Sequence, residues 1–142
     1  MELKQKYVLT LDVAKQIVAA AEAEAISRGW TVAISILDDG GHLILFHRID
    51  GTQFGSCEIS ILKARTAISL KRPTKKIAEA VANGKTGFLS ISGVIPLEGG
   101  LPLEYKGEIV GAIGVSGMAS DQDGIIAQIG ADVLASIGKE CQ

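Results

Sequence analysis

The sequence predicts an α+β domain in which helices pack on a five-stranded, mainly antiparallel sheet. Three observations lead there. Short β-branched runs are separated by Gly- and Asp-rich turns of hairpin length. Between them lie stretches whose apolar residues recur at helical spacing and end in recognisable caps. The 142 residues, 47% hydrophobic and 21% charged, suit one ordinary domain able to bury a core without disulfides.

Thr10 is placed to cap a first helix, with Asp12 in its first turn and Arg28-Gly29 at its end. Leu11, Ala14, Ile17, Val18, Ala21 and Ala25 form its apolar stripe. Thr31 to Leu37 and His42 to Ile49 read as a hairpin around the turn Asp38-Asp39-Gly40-Gly41. A helix from about Ser56 to Leu70 presents Cys57, Ile61, Ala64 and Ile68, and Pro73 stops it. Thr74 is expected to cap a shorter helix that runs through Val81 to Asn83-Gly84.

Three strands follow, Ile91 to Leu97, Leu101 to Tyr105 and Glu108 to Ser116, joined at Glu98-Gly99-Gly100 and Lys106-Gly107. Ser120 with Asp123 makes a capping-box pattern for a last helix that buries Ile126, Ile129, Val133 and Ile137. No linker or repeat interrupts this order, so residues 1–142 are expected to form a single domain.

Several function classes lose support. A net charge of −2 does not fit a nucleic-acid binder, and no apolar run approaches the roughly 18 residues of a membrane span. The N-terminus lacks a signal-peptide core, so the cytoplasm is the expected compartment. Cys57 and Cys141 form no CxxC pair. Cys57 has no histidine near it in sequence, and Ser116 lacks the GxSxG frame of a nucleophile elbow. Gly111, Gly114 and Gly117 are spaced GxxGxxG, and Asp121 and Asp123 would repel a phosphate at the next helix. Gly111 and Gly114 instead suggest close approach of another backbone or of a ligand.

The remaining candidates are binding residues. His47 shares a strand face with Leu43, Leu45 and Ile49, whereas His42 sits beside the turn; five residues apart, they face opposite sides of a regular strand. Six basic residues and no acid lie between Ile59 and Ala78, among them Lys63, Arg65 and Arg72. That stretch suits carboxylate or phosphate groups of a ligand, or else a solvated helix surface.

Taken in order, four segments resemble the GlcG/HbpS-like family, which also includes the C-terminal domain of PduO-type corrinoid adenosyltransferases. They are Asp38-Asp39-Gly40-Gly41 with Arg48-Ile49-Asp50-Gly51, Lys63-Ala64-Arg65-Thr66-Ala67, Gly99-Gly100-Leu101-Pro102, and Gly111 to Gly117. The resemblance runs from about residue 10 to residue 135. It implies a profilin-like α/β/α fold around a five-stranded antiparallel sheet, assembly into homo-oligomers, and relatives that bind heme. The expected function is therefore binding of heme or a similar flat tetrapyrrole. His47 is the expected iron ligand, and His42, Met118 and Tyr105 are the other available donors. Arg65 and Arg72 are expected to meet the propionates. The alternative is an enzyme, accessory factor or structural partner for a small metabolite of a catabolic pathway, with its site in a cleft between subunits.

Overall fold

The computed structural model describes residues 1–140; Cys141 lies outside them. Thr10 caps helix α1 (Leu11–Ser27), its hydroxyl accepting the Val13 N–H at 3.3 Å. Gly29 then takes a φ of +70°, the left-handed geometry that releases the chain toward the sheet. Strands β1 (Ala33–Asp38) and β2 (Leu43–Arg48) flank a turn in which the Asp38 carboxylate accepts the N–H groups of Gly40 and His42, both at 2.9 Å. Helices α2 (Gly55–Leu70) and α3 (Thr74–Ala82) come next, then a short 3₁₀ turn over Thr86–Ser90. The β3 (Gly100–Tyr105) and β4 (Glu108–Ser116) hairpin precedes the long helix α4 (Ser120–Glu140).

Among the described residues the sheet has four strands, in the order β2-β1-β4-β3, with every pair antiparallel. The expected fifth strand, Ile91 to Leu97, does not form. Gly93 adopts a φ of +81°, and Pro96 has no N–H to offer a neighbouring strand. The Ile95 N–H is taken instead by the Thr66 hydroxyl, at 3.0 Å. Leu89, Ile91 and Leu97 consequently remain exposed.

Alternation along β1 divides the core into two layers. Ile34 and Ile36 face α1 and α4, packing with Ile17, Val18, Ile113, Val115 and Ile126. Leu37 faces α2 with Ala64, Ala67 and Ala112, and the Ser35 and Ser60 hydroxyls share a buried 2.6 Å hydrogen bond. The result is an α/β/α sandwich. Leu11, assigned to the α1 stripe, is exposed because it opens the first turn ahead of the contact with the sheet.

Helix α2 lies unusually close to the sheet. A Cβ at Gly114 would overlap the Ser60 carbonyl and stand 2.7 Å from the Ala64 nitrogen. The buried face of α2 is therefore small or polar, comprising Ser56, Ser60, Lys63, Ala64, Thr66 and Ala67 as well as Ile68. Ile61 and Cys57, expected on that face, are only partly buried. Thr74 does not cap α3, since Pro73 holds the cap position. Its hydroxyl instead accepts the Gly100 N–H at 2.9 Å, tying α3 to the start of β3.

Candidate functional site

Lys63, one of the six basic residues of its stretch, is 2% exposed, so it lies neither on a solvated helix surface nor open to a ligand. Its ammonium donates to the Asp123 carboxylate at 2.9 Å and to the Val115 carbonyl at 3.0 Å. Asp123, 1% exposed, also accepts the Met118 N–H at 3.0 Å. Burial pushes its carboxyl above the usual carboxylate range, opposed chiefly by the Lys63 charge and then by the Met118 N–H. A Cβ on Gly99 would stand 2.9 Å from the Lys63 Nζ, and one on Gly100 would overlap the Lys63 carbonyl. Three of the four family-like segments thus converge on one buried ammonium. The helical spacing of Ser56, Ser60, Lys63, Ala64 and Ala67 was the available signal: a lysine set in a stripe of small residues. Asp123 is therefore an ion-pair partner rather than the return arm of a capping box.

Beside this pair, Pro73, Lys75, Glu98, Gly100, Gly124 and Gln128 contribute to a cleft of about 250 Å³. The Glu98 carboxylate lies against Gly124, where a Cβ would stand 3.0 Å from its Cδ.

His47 lies at the other side of the molecule, on the edge strand β2. Its partner in β1, Ile34, places it on the α1 face, and its Nδ1 is 3.2 Å from the Glu22 carboxylate of α1. A carboxylate only accepts, so Nδ1 carries the shared proton. In the neutral ring Nε2 keeps its lone pair, and it makes no hydrogen bond among the described residues. The side chain is 43% exposed. An imidazole held by a carboxylate through one nitrogen and open at the other is the arrangement that a metal-binding histidine requires. Ala19, Ala23 and Ile26 are exposed on α1 close to Glu22 in the helical repeat. Half-buried Leu45 and Ile49 lie along the strand on either side of His47. Leu45 and Ile49 are thus apolar neighbours of the imidazole along its strand, and the α1 residues add exposed apolar positions within a turn of Glu22.

The other named residues do not gather around this imidazole. Met118 is partly buried against the α1–α4 layer. His42 is 83% exposed at the hairpin tip, with Nδ1 3.4 Å from Asp38. Arg65 and Arg72 are exposed on and just beyond α2, on the opposite face of the sheet from His47. Arg65 borders a shallow cleft with Asp39, Gly41 and Ser69, while the Arg72 Nε donates to the Leu70 carbonyl at 2.9 Å. Gly111 and Gly114 serve backbone approach, Gly111 against the Leu37 carbonyl and Gly114 against α2. Tyr105 lines a separate apolar cavity. Among the described residues no group of three or more His, Cys, Asp or Glu side chains is placed to hold a metal ion, and no helix is long and apolar enough to cross a membrane.

Comparison with known proteins decides the family. Residues 9–132 match the model of the HbpS-like family, described as haem degrading protein HbpS-like. This chain belongs to that family. It is 42% identical over 114 residues to protein GlcG of Escherichia coli K12, an alignment covering 80% of this chain and 85% of GlcG. The crystal structure of Klebsiella pneumoniae protein ORFY superposes with a TM-score of 0.87 at 35% identity, covering 96% of this chain and 97% of that one. A PduOC–heme complex superposes with a TM-score of 0.81 at 27% identity, covering 89% and 95%. The HbpS-like fold is therefore shared over nearly the whole chain.

The residues present fit heme iron in one respect, because His47 supplies an oriented imidazole with an open nitrogen between apolar Leu45 and Ile49. Among the described residues nothing faces His47 across a heme-sized gap. Among the described residues, His42, His47 and Met118 line neither the cleft beside Lys63, nor that beside Arg65, nor the Tyr105 cavity.

Proposed function

We propose that this HbpS-like chain binds heme or a closely related tetrapyrrole, with His47 as the iron ligand, and that copies of the chain assemble to complete the site. The observation that carries the reading is the His47–Glu22 pair, found in a chain whose fold matches that of a heme complex. Bound heme would supply an iron centre that accepts an imidazole nitrogen. Within the chain, Glu22 would hold the ring orientation, and Leu45 and Ile49 would give the imidazole apolar neighbours along its strand. Lys15 lies seven residues before Glu22 on the same helix stripe, about 10 Å along the axis, where a propionate could meet it. Arg65 and Arg72 would serve propionates only across a contact between copies. Phe54, 84% exposed, with exposed Leu43, Leu89, Ile91 and Leu97, gives such a contact apolar surface to cover. Hemin titration should give a saturable Soret band of fixed stoichiometry, and light scattering should give a multiple of 14.8 kDa at micromolar concentration. Hemin uptake that never saturates, or a monomer mass, would remove the corresponding half of the proposal.

A second reading is favoured by the cleft beside the Lys63–Asp123 pair. Lys75, Glu98 and Gln128 there offer a donor, an acceptor and an amide to a small polar metabolite. If hemin fails to bind, this cleft is where a metabolite of a catabolic pathway should be sought, with Glu98→Gln as the diagnostic variant.

A further inference from the structure

The opposite end of the sheet holds a half-open apolar pocket that the heme reading does not use. Leu9, Val13, Tyr105, Val110, Leu134 and Ile137 line it, and its volume is about 220 Å³. Val110 stands five residues along β4 from Val115, whose row includes Ile34 and His47, so the space lies roughly 17 Å along the strand from that row. An apolar cavity of about 150 Å³ accommodates benzene, so this one has room for a ring with a short substituent.

Thr10 adds a hydroxyl to its lining, and one part of its rim carries a cation. Tyr7 and Tyr105 meet edge to face, with centroids 4.8 Å apart and planes at 82°. The Lys106 ammonium lies 5.8 Å from the Tyr7 centroid and 5.4 Å from that of Tyr105. Lys106 occupies the first central position of the β3–β4 turn, with φ +49°, followed by Gly107 at +81°. Turns with two positive φ values favour Asn-Gly, and a lysine in the left-handed region is uncommon. The backbone thus tolerates a disfavoured conformation where its side chain supplies a cation beside an aromatic cavity.

We propose that this cavity binds a small monocyclic aromatic carboxylate, its ring between Val13, Val110, Leu134 and Tyr105 and its carboxylate directed to Lys106. Apolar lining, single-ring size and one cation at the rim together select that class over a neutral hydrocarbon or a polar metabolite. The site is separate from His47, so it stands or falls independently of heme binding.

A ¹⁵N-resolved NMR titration of the full chain with 4-methylbenzoate, and in parallel with the neutral analogue p-xylene, tests it. Saturable shifts confined to Leu9, Val13, Tyr105, Val110 and Leu134 are expected for the acid. Lys106→Ala, at an exposed turn, should weaken the acid about tenfold and leave p-xylene unchanged, as loss of one charge-assisted contact requires. Val13→Phe should fill the space and abolish both titrations while the circular dichroism spectrum stays native. Scattered or non-saturating shifts in the parent would overturn the site. Equal effects of Lys106→Ala on the two probes would overturn the carboxylate assignment.

Discussion

The seam between α2 and the sheet and the outer edge at β2 are built by opposite rules. At the seam, backbones approach so closely at Gly114 and Gly100 that no Cβ fits there, and the lysine admitted beside them has its charge paired with Asp123. At the edge, His47 is nearly half exposed, makes one long hydrogen bond and borders uncovered apolar side chains. The seam has lost its freedom to bind anything else. The edge has kept it, and the difference separates residues that hold the fold from residues free to take a ligand.

Breaking the seam should give the largest effects. Lys63→Met leaves Asp123 buried without its partner, and a loss of about 3–5 kcal/mol is expected in chemical denaturation. Adding Asp123→Leu to that variant should recover most of the loss, because no uncompensated charge then remains. Full additivity of the two substitutions would mean that the pair is not coupled. Gly114→Val should cost about 3 kcal/mol, near the upper end of ordinary overpacking, because its neighbours are the backbone of Ser60 and Ala64 rather than a movable side chain. A variant that melts like the parent would remove the close-approach argument.

Smaller effects belong to the hairpin tip. The Asp38 carboxyl lies below its ordinary value of 3.8, held there first by the His42 N–H, against burial, and then by the Gly40 N–H. A depressed folded value means that its contribution is present above pH 3.8 and is lost as pH falls through the lowered folded value. In Asp38→Ala the stability difference from the parent, less than about 1 kcal/mol, should therefore shrink toward zero in that acid window. A difference independent of pH would assign the effect to packing instead.

The local chemistry of the chain made much of this legible. Thr10 as a cap, the Asp38 turn and the hairpin after it each depend on residues within four positions, and each forms as read. The stretch from Ile91 to Leu97 misled because apolar β-formers there reach neither a strand partner nor full burial; Gly93 and Pro96 turn it aside, and its N–H at Ile95 goes to α2. Lys63 and Asp123 are 60 positions apart; the stripe of small residues around Lys63 hints at burial, but nothing local names its partner. Strand alternation makes the position of His47 among Leu45 and Ile49 legible, whereas Glu22 comes from a helix that only the fold brings to it.

The central claim is that the edge residue His47 binds iron while contributing little to the fold. Thermal melting and hemin titration of the same His47→Ala preparation test it most directly. The account predicts a stability within about 0.5 kcal/mol of the parent, together with a shifted or abolished Soret band. A variant that melts like the parent and gives the parent's saturable Soret spectrum at the same stoichiometry would contradict it.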